Sequence, residues 1–258
     1  MSLQIAKEGW PIIGFGFIVA LFSYVIGVVL GISFFIWFSW LAFGFGLFSL
    51  YFFRDPDRET PGGSELVICP ADGTVLDILE VEEPDYIKGK ATRISIFMSV
   101  TNVHVNRSPV TGTVDYIHYN PGEFQLAWRE KASELNEQNS IGLSTDNGSK
   151  YLVRQIAGYV ARRIVCNVQS GFKLSTGERF GLIRFGSRVD LFFEPGSLDI
   201  NVKKGQSVTA GLTIIGKVKN CEKSECSDTD GQDYNSVEHN SEPSGDDSSE
   251  SSEQKEKA

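Results

Sequence analysis

The sequence predicts a mainly β fold, α+β at most, in which a compact barrel-sandwich-like domain follows a helical hairpin. Three observations predict it. A segment of 45 residues, from Gly9 to Phe53, carries no charged side chain. Between residues 65 and 218, short runs rich in Val, Ile and Phe alternate with Gly, Pro and Asn, which is typical of strands and turns. The last 38 residues are rich in Ser, Glu and Asp and have almost no apolar side chains.

The apolar segment is long enough for two membrane-spanning helices. A helix rises by about 1.5 Å per residue, so a single helix of this length would be roughly twice as long as the ~30 Å hydrocarbon core. We place the spans near residues 10–30 and 34–53, with the break at Gly31 to Ser33. Such a run is too long for the apolar core of a signal peptide.

The charges that flank the hairpin predict its orientation. Lys7 precedes the first span, and Arg54 and Arg58 follow the second. Both ends then lie on one side, and basic flanks favour the cytoplasmic side. We therefore expect a protein of the inner cell membrane whose remaining chain is cytoplasmic.

The chain divides by composition into an anchor (1–53), a Pro/Gly-punctuated linker (54–66), a β-rich domain (67–220) and a tail (221–258). Within the domain, only residues 124–137 have enough helix formers for a short helix, and the same stretch fits a loop. The predicted strands are Glu65–Cys69, Gly73–Leu79, Ala91–Met98, Gly112–Tyr119, Ser149–Ile156, Arg163–Cys166, Arg179–Arg184, Arg188–Phe193 and Gln206–Val218. Glycine corners in the last of these runs are typical of lipoyl- and biotinyl-like barrel-sandwich folds.

The net charge of −9 belongs to the tail, which holds 12 Asp or Glu and 3 Lys or Arg. The rest of the chain is neutral and has no basic stripe, so nucleic acid is not an expected partner. A segment as polar as the tail cannot bury enough surface to fold, which predicts disorder. The four cysteines lack the paired spacing of a zinc site, and we predict no metal.

Three local patterns contain residue types that are used in catalysis. They are Asp72 within Pro70–Val75, His104 within Phe97–Pro109, and Gly186-Ser187 within Gly177–Asp190. Each has an ordinary structural interpretation when taken alone. An Asp-Gly pair favours a turn, a single histidine can be a satisfied core or surface residue, and a Gly-Ser pair can join two strands.

Taken together and in this order, the three patterns resemble the phosphatidylserine decarboxylase family, in its short, membrane-anchored, pyruvoyl-dependent form. The resemblance runs from about Asp55 to Val218 and includes Ala161–Val165. Its most specific element is the Gly-Ser step inside Arg184–Asp190. The hydrophobic hairpin is also similar to the anchor of that family.

The resemblance implies a carboxy-lyase made as a proenzyme. The chain would cut itself between Gly186 and Ser187, giving a large chain (1–186) and a small chain (187–258) that remain together as a heterodimer. Ser187 would become a pyruvoyl group, the covalent cofactor. This group would form a Schiff base with phosphatidylserine, a membrane lipid, and CO₂ would leave to give phosphatidylethanolamine.

The resemblance also assigns the base for self-cleavage. A serine hydroxyl needs a neighbouring base to become nucleophilic. His104 lies in the histidine motif of the family, and Asp72 would orient its imidazole as in an Asp-His-Ser triad. The other two histidines fit less well, because His118 alternates with strand residues and His239 lies in the tail.

Two positions depart from the family pattern. Some longer members carry a second histidine three residues after the first, and here Arg107 stands at that position. Two alternatives follow: if the second histidine of the family is the one that acts in self-cleavage, the triad role does not carry over to His104; otherwise His104 alone serves both self-cleavage and decarboxylation. Gln138 stands where the resemblance predicts Arg, so we assign no substrate contact to that segment.

Three alternatives stay open at this stage. A lipoyl- or biotinyl-like carrier module would need an exposed lysine at a hairpin tip, and Lys203-Lys204 lack the apolar flanks of such a site. A pyruvoyl enzyme that acts on a soluble amino acid would not need the hydrophobic hairpin. A serine lipid with another backbone, such as archaetidylserine, fits as well as phosphatidylserine, because the chemistry is confined to the headgroup.

Overall fold

The computed structural model describes residues 3–122, 136–158, 163–184 and 186–219. Two helices, α1 (Trp10–Leu30) and α2 (Ser33–Phe52), follow a short 3₁₀ turn at Lys7–Gly9. The strands of the first half are β1 (Leu3–Ile5), β2 (Arg54–Pro56), β3 (Leu66–Ile68), β4 (Gly73–Glu83), β5 (Gly89–Met98), β6 (Val105–Arg107), β7 (Gly112–Asn120) and β8 (Gln138–Ser144). Those of the second half are β9 (Lys150–Ala157), β10 (Ile164–Cys166), β11 (Lys173–Leu174), β12 (Arg179–Ile183), β13 (Ser187–Phe193), β14 (Leu198–Ile200), β15 (Ser207–Val208) and β16 (Ile214–Val218).

The main sheet has eight antiparallel strands in the order β11-β7-β8-β9-β13-β5-β4-β15. Strand β13 lies in its interior, and every residue of this strand is buried. On one face, Val189, Leu191 and Phe193 pack into the main hydrophobic core. On the other face, Arg188 and Asp190 form a buried ion pair. Two three-stranded sheets, β10-β12-β6 and β14-β16-β3, complete the β domain in the part of the chain that is described.

Small residues form the contact between α1 and α2. The buried residues of α1 include Gly16, Ala20 and Gly27, and those of α2 include Ala42 and Gly46. A Cβ at Gly16 would lie 3.1 Å from the Cα of Gly46, so the two backbones approach closely there. Contacts of this kind between small residues are typical of helix pairs in membranes.

The large apolar side chains of the two helices point away from the pair. Trp37 is 76% exposed, and Phe15 and Leu41 are about as exposed. Both helices are long and apolar enough to cross a membrane. A helix pair with small residues inside and large apolar residues outside is suited to lipid, whereas in water so large an exposed apolar surface would favour association.

The base of the hairpin packs against the β domain. Strand β1 pairs with β2, which brings the two ends of the hairpin together. Phe52 and Phe53, at the end of α2, are fully buried in a hydrophobic cluster with Val103, Val105 and Leu182. The hairpin is therefore held against the segment that contains His104.

The structure confirms the mainly β fold that follows an apolar helical hairpin. The first helix has the predicted bounds and the second is shifted by one residue from the predicted 34–53. Six strands were not predicted, namely β1, β2, β6, β8, β11 and β14. The predicted strand over 206–218 is divided into β15 and β16 by a turn. The possible helix at 124–137 falls almost entirely outside the described residues, as does the acidic tail. The four-part division of the chain stays a prediction.

Candidate active site

The Gly186-Ser187 step lies where the chain enters the centre of the main sheet. Gly186 has a φ of +62°, in the left-handed region that glycine adopts without steric cost. A Cβ at this position would meet no atom nearer than Val100, at 4.0 Å, so conformation rather than crowding favours glycine. Ser187 is fully buried and pairs with Met98 on β5 and Ala157 on β9. A backbone bend thus directly precedes a firmly held serine.

The hydroxyl of Ser187 has a weak partner. Its Oγ lies 3.4 Å from the Sδ of Met98, and a thioether sulfur is a poor acceptor. The hydroxyl is therefore available to turn towards a stronger acceptor in the uncut chain.

His104 lies next to the strand that leads to this step. It directly precedes β6, which pairs with β12, and its carbonyl oxygen accepts a hydrogen bond from the Ile183 amide at 3.3 Å. Ile183 ends β12, shortly before the Gly186-Ser187 step. The two sequence patterns, distant in the chain, are therefore brought to one end of β12.

The hydrogen bonding of His104 leaves a basic nitrogen free. Its Nδ1 lies 2.9 Å from the carbonyl oxygen of Asn102. A carbonyl only accepts, so Nδ1 carries the proton and Nε2 carries the lone pair. Nε2 is buried and has no hydrogen-bond partner among the described residues. An unpaired acceptor in a buried position is costly and is suited to receiving a proton.

The surroundings of His104 favour the neutral imidazole. The ring of Phe52, the last residue of α2, lies 4.3 Å from the imidazole, centroid to centroid. Burial lowers the pKa of His104 from 6.5 to about 4, and the positive charge of Arg54 acts in the same direction. The Asn102 carbonyl and the charge of Asp72 oppose this shift. His104 is therefore neutral at pH 7, as a general base must be.

The lowered pKa predicts an acid-sensitive fold. As the pH falls below 6.5, His104 becomes protonated in the unfolded chain, whereas in the folded chain it stays neutral until about pH 4. The contribution of His104 to the free energy of unfolding is thus fully present above pH 6.5 and is lost as the pH falls towards 4. The loss amounts to about 3 kcal/mol. Thermal melting at pH 7 and pH 4.5, in an uncut Ser187→Ala background, measures the loss. Adding His104→Gln should reduce the difference between the two pH values; an unchanged difference would contradict the assignment.

Asp72 has a different partner from the one that the sequence predicted. Its Oδ1 accepts hydrogen bonds from Arg58 at 2.6 Å and from the Ala210 amide at 2.8 Å, and its Oδ2 accepts one from Arg58 at 2.8 Å. The expected bond to the imidazole is replaced by the Asn102 carbonyl on the histidine side. Asp72 is near enough for its charge to raise the pKa of His104, so its influence in this structure is electrostatic.

Arg107, at the position of the second histidine of longer members, holds the linker. It is buried and donates to Asp55 Oδ1, to the Pro56 carbonyl and to the Gly177 carbonyl, each at 3.1 Å. A histidine is too short to make this set of contacts. The departure at Arg107 therefore has a structural explanation.

Sequence reasoning missed Arg58 and Phe52 as parts of the site. Arg58 counted as a basic flank of the membrane span, but its side chain is only 6% exposed and pairs with Asp72. Phe52 counted as one apolar residue of a span. The signal that could have identified Arg58 is its place in a short charged run, Arg54–Arg58, directly after an uncharged segment. His118 lies exposed on β7, and His239 falls outside the described residues.

The sequence is similar to those of known proteins over most of its length. The family model for phosphatidylserine decarboxylase matches residues 45–216, more than half of the chain. A phosphatidylserine decarboxylase proenzyme of Symbiobacterium thermophilum is 45% identical over 83% of this chain and 95% of its own length. Proenzymes of Salinibacter ruber (47% identity, 69% of this chain, 79% of the relative) and Carboxydothermus hydrogenoformans (44%, 80%, 95%) bear the same name.

These matches define the class of protein as a decarboxylase of the carboxy-lyase type that is made as a proenzyme. The chain belongs to the phosphatidylserine decarboxylase family.

Proposed function

We propose that the chain cuts itself between Gly186 and Ser187 and then decarboxylates phosphatidylserine. The observation that carries this proposal is the left-handed glycine directly before a buried serine at the start of β13. The names of the relatives supply the substrate.

The cut begins with attack by the Ser187 hydroxyl on the carbonyl carbon of Gly186. The new C–O bond forms as the C–N bond breaks, and the serine nitrogen takes up a proton, so the amide becomes an ester. Loss of the Cα proton then breaks the Cβ–O bond, which leaves the Gly186 carboxylate and a dehydroalanine at position 187. Addition of water and release of ammonia convert this residue to the pyruvoyl group. The bend at Gly186 supports the attack because glycine adopts this left-handed conformation without steric cost.

His104 Nε2 is the proposed base for the hydroxyl proton. The imidazole is neutral at pH 7, and its Nε2 has no hydrogen-bond partner in the part of the chain that the structure describes. The Asn102 carbonyl sets the tautomer. The charge of Asp72 stabilises the imidazolium that forms. Arg107 stands at the position of the second histidine, so we also assign the protonation of the decarboxylated lipid to His104 Nε2.

The residues at this site fit a pyruvoyl group at position 187. His104 Nε2 is a buried acceptor without a partner among the described residues, and strand pairing on both sides fixes the position of residue 187. When present, the group supplies a carbonyl next to an amide, which accepts the electron pair left by departing CO₂. The described residues contain no cluster suited to a metal ion, and we propose none.

The apolar hairpin is the proposed membrane anchor, with the β domain on the cytoplasmic face of the inner membrane. Its exposed large side chains support the anchor. With Arg58 buried against Asp72, the orientation depends on Lys7 and Arg54. Because Phe52 of α2 contacts the His104 ring, the anchor would hold the site close to the headgroup of its lipid substrate.

The test is intact-mass analysis of the full chain, made by cell-free synthesis with lipid nanodiscs. We expect a chain of residues 1–186 and a second chain of residues 187–258 that has no free amino terminus. The pair should release CO₂ from carboxyl-labelled phosphatidylserine and lose this activity on treatment with phenylhydrazine, which traps ketones. A single chain of full mass that releases no CO₂ would refute the proposal.

A further inference from the structure

Three buried amide side chains form a line that ends at Met98, whose sulfur also contacts Ser187. Asn139 Nδ2 donates to Gln155 Oε1 at 3.1 Å, and Gln155 Nε2 donates to Asn106 Oδ1 at 2.8 Å. Gln155 and Asn106 are fully buried and Asn139 is 3% exposed. The line joins β8 and β9 of the main sheet to β6 of a neighbouring sheet.

The line has a direction. An amide can be turned either way, and its neighbours decide which end is oxygen. Asn139 presents an NH₂ group to Gln155, so the Gln155 oxygen faces Asn139 and its NH₂ group faces Asn106. The Asn106 oxygen thereby accepts from Gln155, and the Nδ2 of Asn106 points away from Gln155, towards Met98.

The Nδ2 group of Asn106 faces the same atom as the Ser187 hydroxyl. It lies 3.8 Å from the Sδ of Met98, and Ser187 Oγ lies 3.4 Å from that sulfur. A thioether at this distance barely satisfies an amide donor. The network therefore fixes a nearly free N–H donor, in a buried position, against the sulfur that also contacts the nucleophile.

We propose that Asn106 is a catalytic residue of self-cleavage whose Nδ2–H stabilises the oxyanion of the acyl shift. This inference rests on the proposed cut at Gly186-Ser187. As Ser187 Oγ attacks, the electron pair of the Gly186 C=O bond moves onto its oxygen, and Nδ2–H donates to that oxygen. The pair returns when the C–N bond breaks, and Asn106 keeps its own proton throughout. Gln155 is a positioning residue that keeps the NH₂ end of Asn106 turned towards the site.

A purely structural role for the amide line makes a different prediction. Because the line joins two sheets, the loss of any of its hydrogen bonds would then lower the stability of the fold. Cleavage would slow only to the extent that stability falls. Ser108 provides the matched control. It is fully buried two residues after Asn106, and its Oγ donates to the Val110 carbonyl at 2.7 Å. Ser108→Ala removes a buried hydrogen bond in the same segment without altering the donor.

The experiment follows the first-order rate of cleavage of the full chain after cell-free synthesis in nanodiscs. Asn106→Leu should slow cleavage by about 10²- to 10³-fold, as loss of an oxyanion donor does. Gln155→Leu should slow it by at least about tenfold, because Asn106 is retained but no longer oriented. Ser108→Ala should cleave like the parent chain. Thermal melting of the uncut forms shows whether each variant is folded.

Hydroxylamine identifies the affected step, because it cleaves the ester and leaves a hydroxamate on Gly186. Slow hydroxamate formation in Asn106→Leu supports the proposal, since the acyl shift itself is then impaired. Rapid formation would overturn it, as would a folded Asn106→Leu chain that cleaves at the parent rate. Equal slowing in Ser108→Ala at equal loss of stability would also overturn it. If the parent chain itself is not cut, the proposed function has failed, and that outcome is separate from these.

Discussion

Replacing His104 with alanine is expected to leave most of the chain uncut, with self-cleavage slowed by about 10²- to 10⁴-fold, the usual contribution of a general base. The physical reason is the loss of Nε2, the buried acceptor that has no partner among the described residues. Among the described residues the Ser187 hydroxyl contacts the Met98 sulfur, which is a poor acceptor and cannot replace the imidazole as a base. Intact-mass analysis over time measures the cut fraction.

His118→Ala is the matched control for this prediction, because His118 is exposed on β7 and should be dispensable. The His104→Ala chain must be shown to be folded, since it loses a ring that packs against Phe52. Rapid cleavage of a folded His104→Ala chain would remove this residue from the cut. If that cut protein then failed to release CO₂, His104 would serve decarboxylation alone.

Replacing Arg58 with methionine is expected to destabilise the protein by about 3–5 kcal/mol, the usual cost of leaving a buried charge without its partner. The side chains of Arg58 and Asp72 are only 6% and 12% exposed. Arg58 also donates to the Ala210 carbonyl, so it ties the linker to the turn before β16. Thermal or denaturant melting of uncut protein measures the loss.

Adding Asp72→Asn to Arg58→Met separates stability from catalysis. The double variant removes both charges, and we expect it to recover much of the lost stability. We expect the double variant to cleave more slowly than the parent chain, because the Asp72 charge no longer stabilises the imidazolium of His104. The rate should fall by about tenfold for each unit by which the Asp72 charge raises the pKa of His104. A stable double variant that cleaves at the parent rate would show that Asp72 acts only as the partner of Arg58.

The features that were predictable from the sequence are those with a local or periodic signal. The hairpin follows from an uncharged segment of 45 residues, and most strands follow from apolar runs between turn residues. Strand β8 was missed because Gln138, Asn139 and Ser140 resemble a loop, although Asn139 and Ser140 are buried in the sheet. Polar residues in a buried strand are visible only when their partners are known.

The candidate site was predictable only in part, for the same reason. The order of the Asp72, His104 and Gly186-Ser187 patterns carries the family resemblance. The partners of these residues do not have a local signal, because Arg58 reaches Asp72 across 14 positions and Gln155 reaches Asn106 across 49. The sequence therefore indicated the candidate residues, and the fold decides what each of them contacts.

The interior position of β13 has a consequence for maturation. Its seven residues are hydrogen-bonded to β5 on one side and to β9 on the other. A cut before Ser187 would create a new chain end at the start of β13. This end would stay in place, because β13 is already paired with a strand on each side. The two products would never need to find each other in solution. Separately made pieces, by contrast, would have to insert a strand between β5 and β9 in the interior of the sheet. The activity should therefore require synthesis as one chain.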